Sequence, residues 1–363
     1  EKNQGGLKVT IPFYRQDITR EVDLIEEVAR LYGYDKIPTT LPVGQLTEGK
    51  KSFSQKMQDK AKNTLTGIGF GEIITYSFTN KKNYDLLSLA EDDKRRESVV
   101  VMNPFSDEQG VMRTTLLPAI LTVASRNMNR KNVNLALFEM AHVFKPVAGE
   151  MLPEENINLV ALVSGELTQG WTGKSQAMDL FYMKGVVAAL MAKLGVDNWQ
   201  VEKGTPEPFL HPGRSCYITV DGDILGYLGE IHPVVQENYD MPERAVVFEL
   251  DLDKLITYNG SLKRYEAVSK YPGVEVDLAL VCDRALNAGD IEAVVRGSAG
   301  EYLESLELFD IYQGERILST QKSLAYRLKF QTPERTLTAE EVNAAVDNVI
   351  KELKERLGVE LRS

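Results

Sequence analysis

Apolar residues at Leu116, Ile120, Val123 and Ala124 fall at i, i+4, i+7 and i+8, which predicts a helix over about Leu116 to Asn129. A basic turn at Arg130 and Lys131 follows. Leu135, Leu137, Phe138, Met140 and Val143 then predict a strand over about Leu135 to Phe144. A helix feeding a strand that ends in a charged residue has the form of an active-site edge, and Arg113 lies on the loop before it. Upstream, Leu7 to Pro12 reads as a short strand and Thr19 to Tyr32 as a helix. Val22, Ile25, Val28, Ala29 and Tyr32 fall on that helix's buried side, and Gly33 ends it. The polar stretch Thr39 to Lys51 reads as a linker.

Further helices are expected at about Ser54 to Thr66 and Asp179 to Leu194. Strands are expected at Glu72 to Phe78, Ile157 to Val163, Cys216 to Val220, Ile224 to Glu230 and Ala245 to Leu250, with Asp221-Gly222 as a hairpin turn. This mixture predicts an α+β fold, an antiparallel sheet with flanking helices. The pattern is cleanest after Tyr271. A strand (Val274 to Cys282), a helix (Ala288 to Arg296), two strands (Leu303 to Tyr312, Ser323 to Phe330), a long helix and a last strand (Val359 to Leu361) give βαββαβ, the ferredoxin-like order. Thr338 and Glu341 open the long helix at capping-box spacing, with Val342, Val346, Val349, Ile350, Leu353 and Leu357 as its buried stripe.

Composition narrows the function. At 363 residues with 43% hydrophobic residues the chain can build two or three cores, and its formal charge of −11 argues against non-specific coating of nucleic acid. A local basic patch stays compatible with RNA contact. Cys216 and Cys282 have no CxxC partner, so zinc and a disulfide framework are not expected, and a reducing, cytoplasmic setting fits. No apolar run reaches the roughly 18 residues of a membrane span, and no signal-peptide pattern is present. The opening at Glu1, without Met, suggests a fragment of a longer protein.

Four stretches could carry chemistry. Asp17, Asp23, Glu26 and Glu27 crowd one region, so a cation should relieve them: a hard ion such as Mg²⁺, or Arg20 and Arg30 on a solvated helix face. GWTGKS resembles a phosphate-binding loop, but the required glycine five positions earlier is Thr168, which favours a surface loop. His142, His211 and His232 form no ligand or nucleophile pattern and read as structural. In the strand Ser323 to Phe330, alternation sends Leu324, Tyr326, Leu328 and Phe330 to the core and Arg327 and Lys329 to the other face. With Arg335 these make a small basic patch suited to phosphates, although residues 271 to 363 hold 11 Lys/Arg against 17 Asp/Glu.

Long motifs in one order give the chain a resemblance. RQDITREVDLIEEVARLYGYDKIP is similar to the end of the DNA-binding-like module of bacterial phenylalanyl-tRNA synthetase beta subunits. NPFSDEQGVMRTTLLPAILTVASRNMNR with LFEMAHVF, and HPGRSCYITVDGDILGYLGEIHP, resemble that family's central core. YPGVEVDLALV, ESLELFDIYQG and KSLAYRLKFQTPERTLTAEEVN resemble its anticodon-binding domain. The resemblance implies three parts: the end of a small α+β module over 1–42, a class II synthetase-like core over 43–265, and a ferredoxin-fold anticodon-binding domain over 270–363.

It further implies a catalytically silent core, with no catalytic residues. Where catalytic members of the class carry Phe-Arg-x-Glu, this chain has Phe144, Lys145, Pro146 and Val147. ATP, phenylalanine and acceptor-end chemistry would belong to an alpha subunit in an alpha2beta2 heterotetramer. Mg²⁺ shared with alpha is implied on Asp17, Asp23, Glu26 and Glu27, reversing the balance in favour of a metal role. Contact with phenylalanine tRNA is implied for Arg327, Lys329 and Arg335. Glu275-Val276-Asp277 departs from the family, which commonly has a basic residue before that Asp. The family's editing module is not in this sequence, so no editing is expected. The alternatives are a free-standing RNA-binding or interaction module, or a chain that activates an amino acid by itself.

Overall fold

Long apolar strands and short amphipathic helices assemble into two compact units, Glu1–Asn259 and Gly260–Ser363, in the computed structural model of the chain. All residues are described except 1, 4, 45–48, 168–170, 172–174, 205–206, 260–264, 266, 315–316 and 363, with only the backbone at 2 and 3. No helix among the described residues is long and apolar enough to cross a membrane.

In the first unit, helices α1 (Glu21–Tyr32) and α2 (Phe53–Ile68) precede strand β1 (Gly71–Glu72). Then come α3 (Leu117–Met128), β2 (Leu135–Lys145), β3 (Glu154–Ser164) and α4 (Leu180–Leu194). β4 (Trp199–Glu202), β5 (Leu210–Val220), β6 (Asp223–Ile231), α5 (Pro233–Asn238), β7 (Ala245–Asp251) and α6 (Leu252–Thr257) complete it. The seven strands form one sheet in the order β4-β5-β6-β7-β3-β2-β1, antiparallel throughout except for β1 with β2. Gly226 lets β6 pass close to β7, since a Cβ there would meet the Glu249 carbonyl. The Asp221-Gly222 hairpin turn forms as expected, both residues at positive φ.

Both faces of this sheet are covered. On one, α2, α4 and α6 pack Met57, Leu65, Met183, Leu190 and Leu255 over Phe138, Ala161 and Phe248. On the other, α3 and α5 set Leu117, Ile120, Leu121 and Val235 over Val160, Leu162 and Val247. Burial at this scale, roughly 1.5–3 kcal/mol for each large apolar side chain, holds the sheet closed.

Three expectations need correction. The strand at Glu72 to Phe78 breaks up, with Gly71–Glu72 on β2 and Phe78–Thr79 pairing with Val111–Met112. The reason lies in the backbone: Ile73 still donates to the Phe138 carbonyl, but the Thr75 N–H goes to the Glu139 carboxylate. Leu7 to Pro12 is likewise not a strand beyond the Gly6–Leu7 pairing. Helix α1 forms, but its apolar side is not buried: Ile25 is 59% and Val28 68% exposed, and no residue of the helix is buried.

The second unit is β8 (Val274–Asp283), α7 (Ala288–Ser298), β9 (Leu303–Tyr312), β10 (Gln321–Phe330), α8 (Ala339–Leu357) and β11 (Glu360–Leu361), in sheet order β9-β10-β8-β11. This is the ferredoxin-like arrangement expected from sequence. Helices α7 and α8 cover one face with Ile291, Val295, Val342, Val349 and Leu353 over Leu280, Leu324, Tyr326 and Leu328. The Thr338–Glu341 capping box is made, and Gly358 ends α8 in the left-handed conformation. Among the described residues of this unit, no helix lies over the opposite face.

Candidate functional site

The acidic group on and before α1 already holds internal cations. Arg15 Nη2 lies 2.7 Å from both Asp17 and Glu27, and Arg30 donates to Glu27 at 2.6 Å. These hydrogen bonds, Arg15 first and then Arg30, hold the Glu27 carboxyl down to about 2. The Arg15 hydrogen bond also lowers Asp17. Asp23 serves the helix start, accepting from the N–H groups of Thr19 at 2.9 Å and Arg20 at 2.8 Å, which lower it in turn. Asp17 and Glu27 therefore converge on one cation, while Asp23 turns to the backbone and Glu26 stays exposed. Oxygen-only donors have the right chemistry for Mg²⁺. As arranged in this chain they do not make its octahedral shell, and no group of three or more metal-capable side chains forms among the described residues.

The region predicted as an active-site edge is filled by two buried polar networks. Arg113, 4% exposed, pairs with Glu139 at 3.0 Å and donates to the His142 carbonyl at 3.0 Å and the Thr75 hydroxyl at 2.9 Å. Its own carbonyl accepts from the Phe144 N–H. Through Nε and Nη1 the buried guanidinium is thus held by partners inside the protein. Glu249 accepts from Thr115 Oγ1 at 2.6 Å, Leu116 N at 3.1 Å, Asn158 Nδ2 at 2.7 Å and Tyr227 Oη at 2.8 Å. Burial, and then the Glu249 charge, push the Tyr227 phenol far above its ordinary value. The pocket between Glu207, Cys216, Tyr217 and Tyr227 has about 10 Å³, room for one water at most. Lys145 lies exposed at the end of β2, opposite Glu154.

Two of the three histidines make local structural bonds. His211 Nδ1 accepts from Gly213 N, and His232 Nδ1 caps α5 through Val234 N. GWTGKS falls mostly on residues outside the described ones, namely 170 and 172–174.

The open sheet face of the second unit is different in kind. Arg327 makes two hydrogen bonds to Asp277, at 2.8 and 2.9 Å, and lies 5.1 Å over the Phe309 ring. Lys329 pairs with Glu304 at 2.8 Å and Arg335 with Glu341 at 2.5 Å. Asp277 is lowered and Arg327 raised, each chiefly by their shared hydrogen bonds. Arg327 and Lys329 therefore share the predicted face, whereas Arg335 sits at the start of α8 and turns to its capping box. Beyond Arg327, Arg362 stacks 4.6 Å over the Tyr312 ring. Ala279 and Ala325 pair across the intervening strands, leaving a low floor between the two arginine-capped rings.

Sequence reading missed Phe309, Tyr312 and Arg362. Strict alternation puts Phe309 and Tyr312 on opposite faces. A bulge between Leu308 and Asp310 shifts the phase, so that both rings serve the open face. Aromatic residues three apart in a strand that also carries Glu304, Glu307 and Asp310 were the available signal. Rings capped by guanidinium groups on an open sheet can stack nucleic-acid bases and neutralise phosphates.

Three family descriptions match the chain: tRNA synthetase B5 domain at residues 1–34, Phenylalanyl tRNA synthetase beta chain CLM domain at 37–252, and Ferredoxin-fold anticodon binding domain at 269–362. A phenylalanine–tRNA ligase beta subunit of Moorella thermoacetica is 41% identical over 99% of this chain and 45% of its own length. One from Carboxydothermus hydrogenoformans is 41% identical over 98% and 44%. The chain thus spans less than half the length of these curated relatives. A pyrrolysyl-tRNA synthetase crystal structure from Desulfitobacterium hafniense superposes with a TM-score of 0.45 at 11% identity, over 69% of this chain and 82% of that one.

Proposed function

The chain belongs to the phenylalanine–tRNA ligase beta-subunit family, and from that premise we propose that it is the non-catalytic, tRNA-holding part of that ligase. In this reading 1–42 is the end of a small module, 43–265 a silent core, and 270–363 the part that takes the anticodon arm of phenylalanine tRNA. The carrying observation is the open face of β9, β10 and β8, where Phe309 and Tyr312 offer stacking surfaces and Arg327, Lys329 and Arg362 offer charge. Base stacking on such rings contributes about 1–3 kcal/mol per base. Arg335 stands at the rim, where it can exchange Glu341 for a phosphate.

The core's role is to support a partner. The burial of Arg113 against Glu139 supports this reading, because the arginine beside this strand is committed inside the protein, and the exposed Lys145 offers a point charge instead of a bidentate fork. ATP and phenylalanine would be bound by an alpha subunit in an alpha2beta2 assembly, in the cytoplasm. Mg²⁺ on Asp17, Asp23, Glu26 and Glu27, completed by alpha, requires Arg15 to leave Asp17 and Glu27. The hard oxygen donors and the convergence of those two carboxylates support the reading. The four-residue site is tested by Mg²⁺ titration calorimetry of the assembled ligase, where Glu27→Gln should weaken binding and an unchanged isotherm would exclude it.

The functional test compares ATP–pyrophosphate exchange by this chain alone with exchange and aminoacylation after reconstitution with alpha. We expect no exchange without alpha and full charging with it. Exchange by the chain alone would overturn the assignment, and RNA binding without alpha association would favour a free-standing RNA-binding module.

A further inference from the structure

No Asp or Glu occurs between Glu108 and Glu139, although the chain carries 53 acids in 363 residues. Within that stretch, α3 ends in Arg126, and the turn after it adds Arg130 and Lys131, all three exposed. The first unit contains ten arginines. Eight of them, Arg15, Arg20, Arg30, Arg95, Arg96, Arg113, Arg214 and Arg244, have ion-pair partners. The two without one among the described residues are Arg126 and Arg130, and Lys131 beside them has none either. Among the described residues, Arg126 and Arg130 are thus the exceptions among the first unit's arginines, in a chain of net charge −11 that has acids enough to pair them.

The turn is also held rigid. Arg130 N donates to Asn127 O at 2.9 Å, Lys131 N to Met128 O at 2.8 Å and Asn132 N to Asn127 O at 3.0 Å. Asn129 Nδ2 ties it to the Asp240 carbonyl at 3.1 Å. Lys131 takes φ +71°, the left-handed position after a helix where glycine is the ordinary occupant. A lysine there is strained relative to glycine, because its Cβ crowds the following carbonyl oxygen. Backbone strain of this kind persists where a side chain is needed in place.

We propose that Arg126, Arg130 and Lys131 form a further RNA contact, on the first unit, that takes backbone phosphates of tRNA. A phosphodiester fits better than an acidic peptide, because three neighbouring cations on a fixed turn, with Asn129 and Asn132 exposed beside them, match closely spaced anions and hydrogen-bond acceptors. Cations also suit a helix C-terminus electrostatically, so the test must separate binding from helix stability. The inference rests on the tRNA-binding reading above.

The experiment uses the assembled ligase and phenylalanine tRNA, with the dissociation constant measured against salt for wild type, Arg126→Gln/Arg130→Gln, Lys131→Gly and Tyr312→Ala. The double variant should weaken binding about threefold to tenfold near 150 mM salt and lower the salt slope by about two. Lys131→Gly should lower the slope by about one while its melting temperature holds or rises, because glycine relieves the positive φ. Unchanged affinity and slope in both turn variants, with Tyr312→Ala weakened, would overturn this contact alone. Failure of wild type to bind tRNA would remove the underlying reading as well. An acidic peptide that competes at the turn while the tRNA slope stays constant would also overturn it.

Discussion

The two sheets of this chain make opposite use of their polar groups. In the seven-stranded sheet both faces are packed, and the charged side chains Arg113, Glu139 and Glu249 are buried and hydrogen-bonded to neighbours inside the protein. In the four-stranded sheet one face is open, and its ion pairs, Arg327 with Asp277 and Lys329 with Glu304, lie at the surface. A buried pair is expensive to break, at about 3–5 kcal/mol. An exposed pair contributes about 0–1 kcal/mol and can be traded for a phosphate. A paired cation is therefore not disqualified from binding; burial decides.

The sharpest way to break this contrast is Arg113→Ala. It strands Glu139 without its ion pair in the core, and should cost about 3–5 kcal/mol in chemical denaturation of the chain. A loss below 1 kcal/mol would mean the network is dispensable. Next in size, Phe309→Ala with Tyr312→Ala should weaken tRNA binding by at least about tenfold, at roughly 1–3 kcal/mol per stacked base. Their melting temperatures should stay near wild type, since Phe309 is already 47% exposed.

A smaller effect is expected from Asp277→Asn, which releases Arg327. Stability should change by less than about 1 kcal/mol, while tRNA affinity at low salt should rise modestly in filter binding. The smallest concerns pH. The Arg335 hydrogen bond, followed by the Thr338 N–H, lowers Glu341 to about 2 from an ordinary 4.5. The folded value is the depressed one, so the stabilisation is complete above about 4.5 and is lost as pH falls toward 2. Circular dichroism should show acid fraying at the start of α8, and Glu341→Gln should remove that pH dependence.

Much of this was readable in the chain. The βαββαβ order, the capping box at Thr338 and the strand alternation around Arg327 are local patterns whose periods match their burial. The helix at Leu117–Met128 was legible for the same reason. What escaped depends on distant partners. The Glu139 carboxylate captures Thr75 N and breaks a predicted strand, and a bulge at Phe309 shifts the face its neighbours serve. The acidic group shows a third kind of limit. Its charges were plain, but Arg15 had to be seen between Asp17 and Glu27 to show which cation this chain supplies for itself. The apolar stripe of α1 was plain too, and only the structure shows it uncovered.

The most direct test of the contrast is site-resolved photo-crosslinking of phenylalanine tRNA, carrying a reactive nucleotide in the anticodon loop, to the assembled ligase. The account predicts crosslinked peptides from Leu303–Tyr312 and Gln321–Phe330, on the open sheet, that disappear in the Phe309→Ala/Tyr312→Ala variant. Anticodon-loop crosslinks that leave both strands unlabelled and fall within the seven-stranded unit would contradict it.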